Sequence, residues 1–291
     1  MTLDDFWPRW WASCKMLRES TLIGYESAYR LHLRETFGHV PLDAITVERV
    51  ESWAAAYADR PGACRKAWAV LRSMLRKAAK WGVIAYDPCS AGVGLPSPKP
   101  YEPKTIGIRD VKRMLRHFHG HRIEAYAIVS AVLGLRRGEA CGIEWEDIDL
   151  RKGQVRIRRS VQYVHGRTIT VQPKTRLSHR TLPLPRFVVE RLRQIRRTVH
   201  GRGRLTGTLT PLQVARRFRS HMRLIGLGHI PPSNLRHSWA TNALTAGVDL
   251  KVVSAMLGHS DIGTTAKYYL RPTWDVYRQA MKTIGASILN A

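Results

Sequence analysis

The chain has 291 residues, 44% of them apolar, and a formal net charge of +26 with a pI of about 10.8. That length fits one large or two ordinary domains with proper cores, and so large a basic excess points to a polyanionic partner. No run approaches the roughly 20 apolar residues of a membrane span, and Met1-Thr-Leu-Asp-Asp shows no basic-then-apolar leader, so neither a spanning helix nor a signal peptide is expected.

The first helix is expected over residues 2–17, with Trp7, Trp10 and Trp11 at helical spacing. A second follows over 20–36 and stops at Gly38. A third runs over 47–58 with Thr46 as its cap, and a fourth over 62–80. The fourth is amphipathic. Trp68, Leu71, Leu75 and Ala78 share one side, and Arg65, Lys66, Arg72, Arg76, Lys77 and Lys80 share the other. With acids nearly absent, that stripe reads as a surface for a DNA backbone rather than as a merely solvated face. Arginine makes up 36 of the 48 basic residues, which suits bidentate phosphate contact.

Composition then shifts to a Pro- and Gly-rich run beginning at Asp87, which reads as a linker. The expected division is a helical DNA-binding domain over 1–90, a linker over 91–103 and a second domain over 104–291. Helices are expected at 108–117 and 123–133. The run Gly134-Leu-Arg-Arg-Gly-Glu comes next, then strands at 154–160, 168–171 and 180–184. In the first of these Val155 and Ile157 alternate with Arg156 and Arg158. The loop before the third strand presents Lys174. Helices resume at 185–198 and 211–225. The fold class is therefore mainly α with a small antiparallel β-sheet, in two domains.

The remaining stretch carries the chemistry. Two prolines precede Ser233 or Asn234 as a candidate helix cap. Gly247 closes that helix, a second short helix ends at Gly258, and residues 261–269 read as a further turn or two of helix. Arg236, His237, His259, Tyr268 and Tyr269 thus lie on short helices joined by glycine turns. Arginine forks match phosphate oxygens, histidine moves protons near neutral pH, and tyrosine can attack phosphorus. The set fits phosphoryl transfer without a metal. It equally fits a three-helix DNA-binding unit whose His and Tyr only pack. Cys14, Cys64, Cys89 and Cys141 are scattered with no Cys-x-x-Cys pair, so buried reduced thiols are expected. His117, His119 and His121 read as an exposed turn rather than a metal site.

With these pieces in order, residues 105–270 resemble the catalytic domain of the tyrosine recombinases, the phage integrase family. Gly134-Leu-Arg-Arg-Gly-Glu looks like its first box, with Arg136 as the first catalytic arginine. Pro173-Lys-Thr looks like the strand-turn lysine, Lys174. Asn234-Leu-Arg-His looks like the second box, with Arg236. Leu257-Gly-His supplies His259, and Thr264-Thr-Ala-Lys-Tyr looks like the nucleophile segment, with Tyr268. The helical first domain is similar to the family's core-binding domain.

The resemblance implies strand cleavage and rejoining through a 3′-phosphotyrosine, with no cofactor, metal or ATP. Arg136 and Arg236 would clamp the phosphate, Lys174 would protonate the leaving oxygen and His259 would donate a hydrogen bond. It also implies double-stranded DNA as partner and a tetramer in the synapse from a free monomer, with exchange of a tail helix expected over 273–288. An accessory directionality factor and the cytoplasm of a bacterial or phage-infected cell complete the expectation.

Glu139, one turn after Arg136, either orients that arginine or serves as a helix N-terminal acid. Ser233 stands where the family's second box usually begins with histidine, and a cap is its simplest role; His237 is expected to pack. The chain starts almost directly with the core-binding domain, so a simple DNA site is expected. The rivals are a non-catalytic DNA-binding protein, a type IB topoisomerase, and a metal-dependent nuclease built on Glu144, Glu146, Asp147 and Asp149. Within the family the alternative to a phage or mobile-element integrase is a chromosome-dimer resolvase. The missing histidine and the high charge favour the mobile element.

Overall fold

The computed structural model describes residues 1–99, 101–164, 166–172, 179–259, 261, 263, 266 and 274–289; within 274–289 the described side chains are those of 278 and 281–289. The chain divides into two compact units, Met1–Glu102 and Pro103–Ala291.

The first unit is helical: α1 (Leu3–Ser13), α2 (Glu19–Ala28), α3 (Arg34–Phe37), α4 (Val47–Ala55) and α5 (Pro61–Lys80). A capping box starts α1. The Thr2 hydroxyl accepts the Asp5 N–H, and the Asp5 carboxylate accepts the Thr2 N–H. This helix is shorter than the sequence implies, because Cys14 caps it and the chain turns. The expected second helix holds as one helical run, but a π-helical segment, Tyr29–Leu33, joins α2 to α3. It lets the Trp7 and Tyr29 rings stack 3.8 Å apart while Leu33 stays in the core.

On α5, Trp68, Leu71, Leu75 and Ala78 are buried, and Arg65, Lys66, Arg72, Arg76 and Lys80 are exposed. Lys77 lies over the Trp81 ring at 5.0 Å. The expected linker begins later than residue 91. Val93 and Leu95 pack on this first core, the Gly94 N–H donates to Glu51 at 2.7 Å, and Arg65 Nε donates to the Pro96 carbonyl at 3.1 Å. Apolar side chains in a Pro- and Gly-rich run are what hold it down.

The second unit is built around α7 (Glu124–Leu133), almost every residue of which is buried. Around it lie α6 (Ile108–His117), α8 (Arg137–Gly142), α9 (Arg186–Thr198), α10 (Pro211–Leu224), α11 (Pro232–Thr245) and α12 (Leu250–Leu257). The strands are β1 (Ile148–Asp149), β2 (Gln154–Ile157), β3 (Ser160–Val164), β4 (Arg167–Val171) and β5 (Arg180–Pro183). They form two antiparallel sheets, one ordered β1-β2-β5 and one pairing β3 with β4.

The strand expected over 154–160 is therefore two strands in different sheets. The break falls where Arg158 and Arg159 both turn onto the buried Asp147 carboxylate, each at 2.7 Å. Ser160 then starts the second ribbon, close against α8. A Cβ on Gly138 would meet the Ser160 hydroxyl and stand 3.0 Å from the Val161 carbonyl, so glycine lets the ribbon approach without shifting either. A final helix, Trp274–Leu289, occupies the expected tail. Among the described residues no helix is long and apolar enough to cross a membrane.

Candidate active site

Three chain segments meet around Arg236. The first is the exit of α7. Gly134 caps that helix at φ 61°, in the left-handed region, and a Cβ there would stand 2.8 Å from the Trp239 ring. Glycine is thus required twice over, by backbone and by space. After Leu135 the chain starts α8 with Arg136 as the residue before the first turn. Glu139 reaches back to accept the Arg136 N–H at 3.0 Å and the Arg136 guanidinium at 2.8 Å. Both roles open to Glu139 in the sequence are realised at once. The Arg136 side chain remains 46% exposed.

The second segment is α11. Ser238 accepts the Ile106 N–H at 3.0 Å and donates to the Asn234 carbonyl at 2.8 Å. Asn234 and Asn242 donate to the carbonyls of Lys104 and Ile106, at 3.0 and 3.1 Å. These bonds fix the helix that carries Arg236. The expected cap is corrected here: Pro231 is the N-cap, Pro232 opens the helix, and Ser233 is its exposed second residue. Proline at the first helical position has no N–H to satisfy and its φ is preset; the Asn234 N–H donates to the Pro231 carbonyl at 2.9 Å, and no side chain caps the helix.

Arg236 itself is buried, which is costly for a charge without partners. It donates to the Gly134 carbonyl at 3.1 Å and to the Leu257 carbonyl at 2.9 Å. These are the carbonyls that end α7 and α12. A helix leaves its last carbonyls unpaired and its C-terminus partly negative, so two helix ends turn toward one guanidinium.

The third segment is the exit of α12. Gly258 adopts φ 68°, and the His259 N–H closes the turn on the Ser254 carbonyl at 3.1 Å. Burial pushes the His259 imidazole down to about 4, and the positive charges of Arg236, Arg136 and Arg180 push the same way, against Glu139. The ring is neutral at pH 7. It then has one N–H to donate, and Arg236, bonded to the carbonyl of Leu257 two residues before it, lies beside its segment. His237 is half-buried, and burial followed by the Arg236 charge lowers it as well.

Arg180, at the start of β5, is a member the sequence did not disclose. Its Nε donates to the Met256 carbonyl at 2.7 Å, and its Nη2 donates to Glu139 at 3.1 Å. Burial acts to raise the Glu139 carboxyl. The charge and hydrogen bonds of Arg180, then the Arg136 N–H and guanidinium, outweigh it and hold the group below the ordinary carboxylate range. Arg180 therefore ties Glu139, and through it Arg136, to the end of α12. The only sequence signal was an arginine shortly after the lysine loop, read there as a strand residue.

Lys174, Tyr268 and Tyr269 lie outside the described residues. The basic stripe on α5 belongs to the first unit. The four acids considered for a nuclease serve the protein instead. Glu144 and Asp147 hold Arg159 at 2.6 and 2.7 Å, Asp149 accepts the N–H groups of Arg151 and Lys152, and Glu146 accepts that of Gly203. Among the described residues no cluster of His, Cys, Asp and Glu is arranged to hold a metal. The histidine turn proves less exposed than expected at one point. His221 of α10 comes within 2.8 Å of His117 and packs edge-on to His121.

Residues 105–273 match the sequence profile of the Phage integrase family, and residues 2–55 match the N-terminal SAM-like domain of phage integrases. The chain belongs to the phage integrase family. It is a tyrosine recombinase, an enzyme class that cleaves and rejoins DNA strands. Among its relatives is a "Tyrosine recombinase XerC-like" protein of Caldanaerobacter subterraneus, 25% identical over 92% of this chain and 79% of the relative. The fold is also that of the Tn1549 transposon integrase in complex with transposon right end DNA, with a TM-score of 0.81 at 17% identity over 98% of this chain and 100% of that one. A lambda integrase tetramer bound to a Holliday junction aligns with a TM-score of 0.73 at 18% identity, over 94% of this chain and 80% of that one.

Proposed function

We propose that this recombinase cuts one DNA strand at a time through Tyr268, for the integration or excision of a phage or mobile element in the cytoplasm of a bacterial cell. The Tyr268 oxygen attacks the scissile phosphorus, a phosphotyrosine forms, and the bond to the 5′ oxygen breaks. Lys174 delivers a proton to that leaving oxygen, and the tyrosine proton passes to water. Arg136 and Arg236 clamp the nonbridging oxygens where charge gathers, and the neutral His259 donates its N–H to one of them. The phosphotyrosine conserves the bond energy, so a 5′ hydroxyl rejoins the strand by the reverse step.

The observation that carries this reading is geometric: Arg236 bonds the carbonyls of Gly134 and Leu257, which stand two residues before Arg136 and His259 respectively, and so draws three separate segments together. Arg65, Lys66, Arg72, Arg76, Lys77 and Lys80 supply backbone contacts from the first unit. The XerC-like relative favours one second reading, a chromosome-dimer resolvase, and the genes and repeats flanking the coding sequence separate the two. The lambda integrase tetramer on a Holliday junction supports a tetrameric synapse for this chain.

The test traps covalent protein–DNA adducts on a nicked suicide substrate carrying the footprinted site. Tyr268→Phe is expected to abolish the adduct and Tyr269→Phe to retain it. The sequence reads this stretch as helical, where neighbours point about 100° apart, so only one of the two tyrosines is expected to serve. The opposite pattern moves the nucleophile to Tyr269, and no adduct with the wild type leaves only a DNA-binding protein.

A further inference from the structure

Three histidines meet at one corner of the second unit. His117 ends α6, His121 lies in the turn that leads to α7, and His221 stands in the last turn of α10. His117 Nε2 and His221 Nδ1 are 2.8 Å apart, a hydrogen bond between two imidazoles. The His121 ring packs edge-on to His221 with centroids 4.2 Å apart, and its Nδ1 accepts the Ile123 N–H at 3.4 Å. Against them the buried rings of Phe118 and Phe218 stack at 5.5 Å, and Phe118 lies 5.4 Å from His221. The histidines thus flank the apolar contact between α6 and α10.

Both hydrogen bonds need an unprotonated nitrogen, because an imidazolium only donates. One proton on the His117–His221 pair is tolerated, since the charged ring donates to the neutral one. A second leaves two N–H groups facing each other across 2.8 Å. A proton on His121 Nδ1 likewise ends its bond to Ile123. The surroundings give further charge no counterion. Arg217 stands one turn before His221 on α10, and the exposed Arg116 and His119 flank His117. His121 also lines a cavity with Arg122, Arg191, Arg202 and Arg204. The one carboxylate of that lining, Glu124, is already taken: Arg191 holds both its oxygens, at 2.6 and 2.8 Å, and the Gly120 N–H adds a bond at 2.7 Å.

Burial, then His117 and Arg217, push His121 below its ordinary 6.5, and burial, then His121 and His117, push His221 the same way. The stability these two groups confer is therefore full above 6.5 and lost as pH falls through their lower, folded values. Both sides of the seam lead to the helix that carries Arg236. α6 follows Ile106, which Ser238 and Asn242 of α11 hold, and α10 precedes α11 in the chain. We propose that His117, His121 and His221 form an acid-sensitive latch between α6 and α10, closed near neutral pH and opened reversibly in mild acid, and that its opening loosens the frame of α11. The latch lies outside the strand-cleavage residues and does not depend on their assignment.

The experiment titrates the full chain, with isotope-labelled histidine, by NMR from about pH 7.5 to about pH 5, and follows thermal unfolding over the same range at constant ionic strength. His121 and His221 are expected to titrate below 6.5, and the unfolding temperature to fall reversibly with pH. His221→Phe keeps a ring against Phe118 and cannot charge. Its loss of unfolding temperature across the range is expected to be about 2–4 °C smaller than that of the wild type. His237 and His259 are present in both proteins, so the difference between the two reports the latch. Hydrogen exchange of the α11 amides, corrected for its intrinsic pH dependence, should quicken in mild acid in the wild type and not in His221→Phe. His117→Gln, at an exposed position, keeps a donor for His221 and removes the neighbouring charge, so His221 is expected to titrate at higher pH. The proposal is overturned if His221→Phe loses as much in acid as the wild type, if α11 exchange does not respond, or if His121 and His221 titrate at their ordinary value. It is overturned too if His221 titrates in His117→Gln as it does in the wild type.

Discussion

At the scale of single residues, the buried cations are decided by backbone oxygens as much as by acids. Arg236 rests on the carbonyls of Gly134 and Leu257, and Arg180 on that of Met256. Arg180 is expected to act on the reaction through Glu139, which it holds at 3.1 Å, as a positioning residue. In the wild type Glu139 has a depressed pKa, so its stabilising contribution is present above its ordinary value near 4.5 and is lost as pH falls through the lower, folded value. Arg180→Met removes the leading cation that holds the carboxyl down, so its pKa is expected to rise relative to wild type. Cleavage is expected to drop roughly 10- to 100-fold, with the acid limb of the pH–rate profile moved to higher pH. A fall in rate with an unmoved limb means Arg180 only holds the fold.

Ser233 gives the second residue-scale prediction. It is exposed and does not cap α11, so Ser233→Ala removes neither a base nor a fold contact. About tenfold or less of cleavage should be lost, since a general base when present contributes about 10²–10⁴-fold. Ser233→His should match or exceed wild type. Arg136→Ala and Arg236→Ala should be nearly inactive, with Arg236→Lys made alongside as a better-folded control. If Ser233→Ala is as inactive as they are, the hydroxyl touches the phosphate directly.

Elements set the site by where they stop. The ends of α7 and α12, each with a glycine at positive φ, aim their last carbonyls at Arg236. Gly134→Ala forces a Cβ toward Trp239 and a left-handed conformation costing about 1–2 kcal/mol by itself. The unfolding midpoint should fall by about 2–4 °C per kcal/mol, and cleavage should fall further than stability accounts for, because the Gly134 carbonyl moves. Equal activity per folded molecule would show that this carbonyl is not needed. The helix Trp274–Leu289 raises the opposite question. Met281, Ile284, Ile288 and Leu289 are exposed on it, at 65, 50, 71 and 87%. Solvent is a poor neighbour for that row, and a second protomer in the synapse is the expected cover, against packing on its own domain. Deleting residues 273–291 should leave strand cleavage largely intact and abolish synapsis in a gel-shift assay; recombination at wild-type level in the truncated protein rules the exchange out.

For the whole molecule the dominant quantity is the +26 charge. Exposed cations on α5 and the arginines of the site belong to different units, and both are expected to contribute phosphate contacts. With six to ten phosphates neutralised, affinity for the DNA site should fall roughly 10³- to 10⁵-fold between about 50 and 200 mM salt. Filter binding across that range measures it, and a flat response contradicts backbone contact on this scale. Replacing Arg72, Arg76 and Lys80 together should lower the slope of log affinity against log salt by about three.

The helices of both units were legible in the sequence because their signals are local. Periodicity, a threonine before α4, and glycines after α7 and α12 each act within a turn or two of where they stand. The order of the boxes was legible for the same reason, as was Glu139 beside Arg136, three residues away. The split of the 154–160 strand was not, because it depends on Asp147 claiming two arginines from the far side of a turn. Nor was the capping of α11, where two prolines displaced the serine. The support of the site was the least legible of all. Arg236 finds the Gly134 carbonyl 102 residues away in sequence, and Arg180 finds that of Met256 at a separation of 76. A carbonyl has no side-chain identity to read. Which carbonyl a buried guanidinium finds depends on where the helices end against one another, and only the packed tertiary structure decides that.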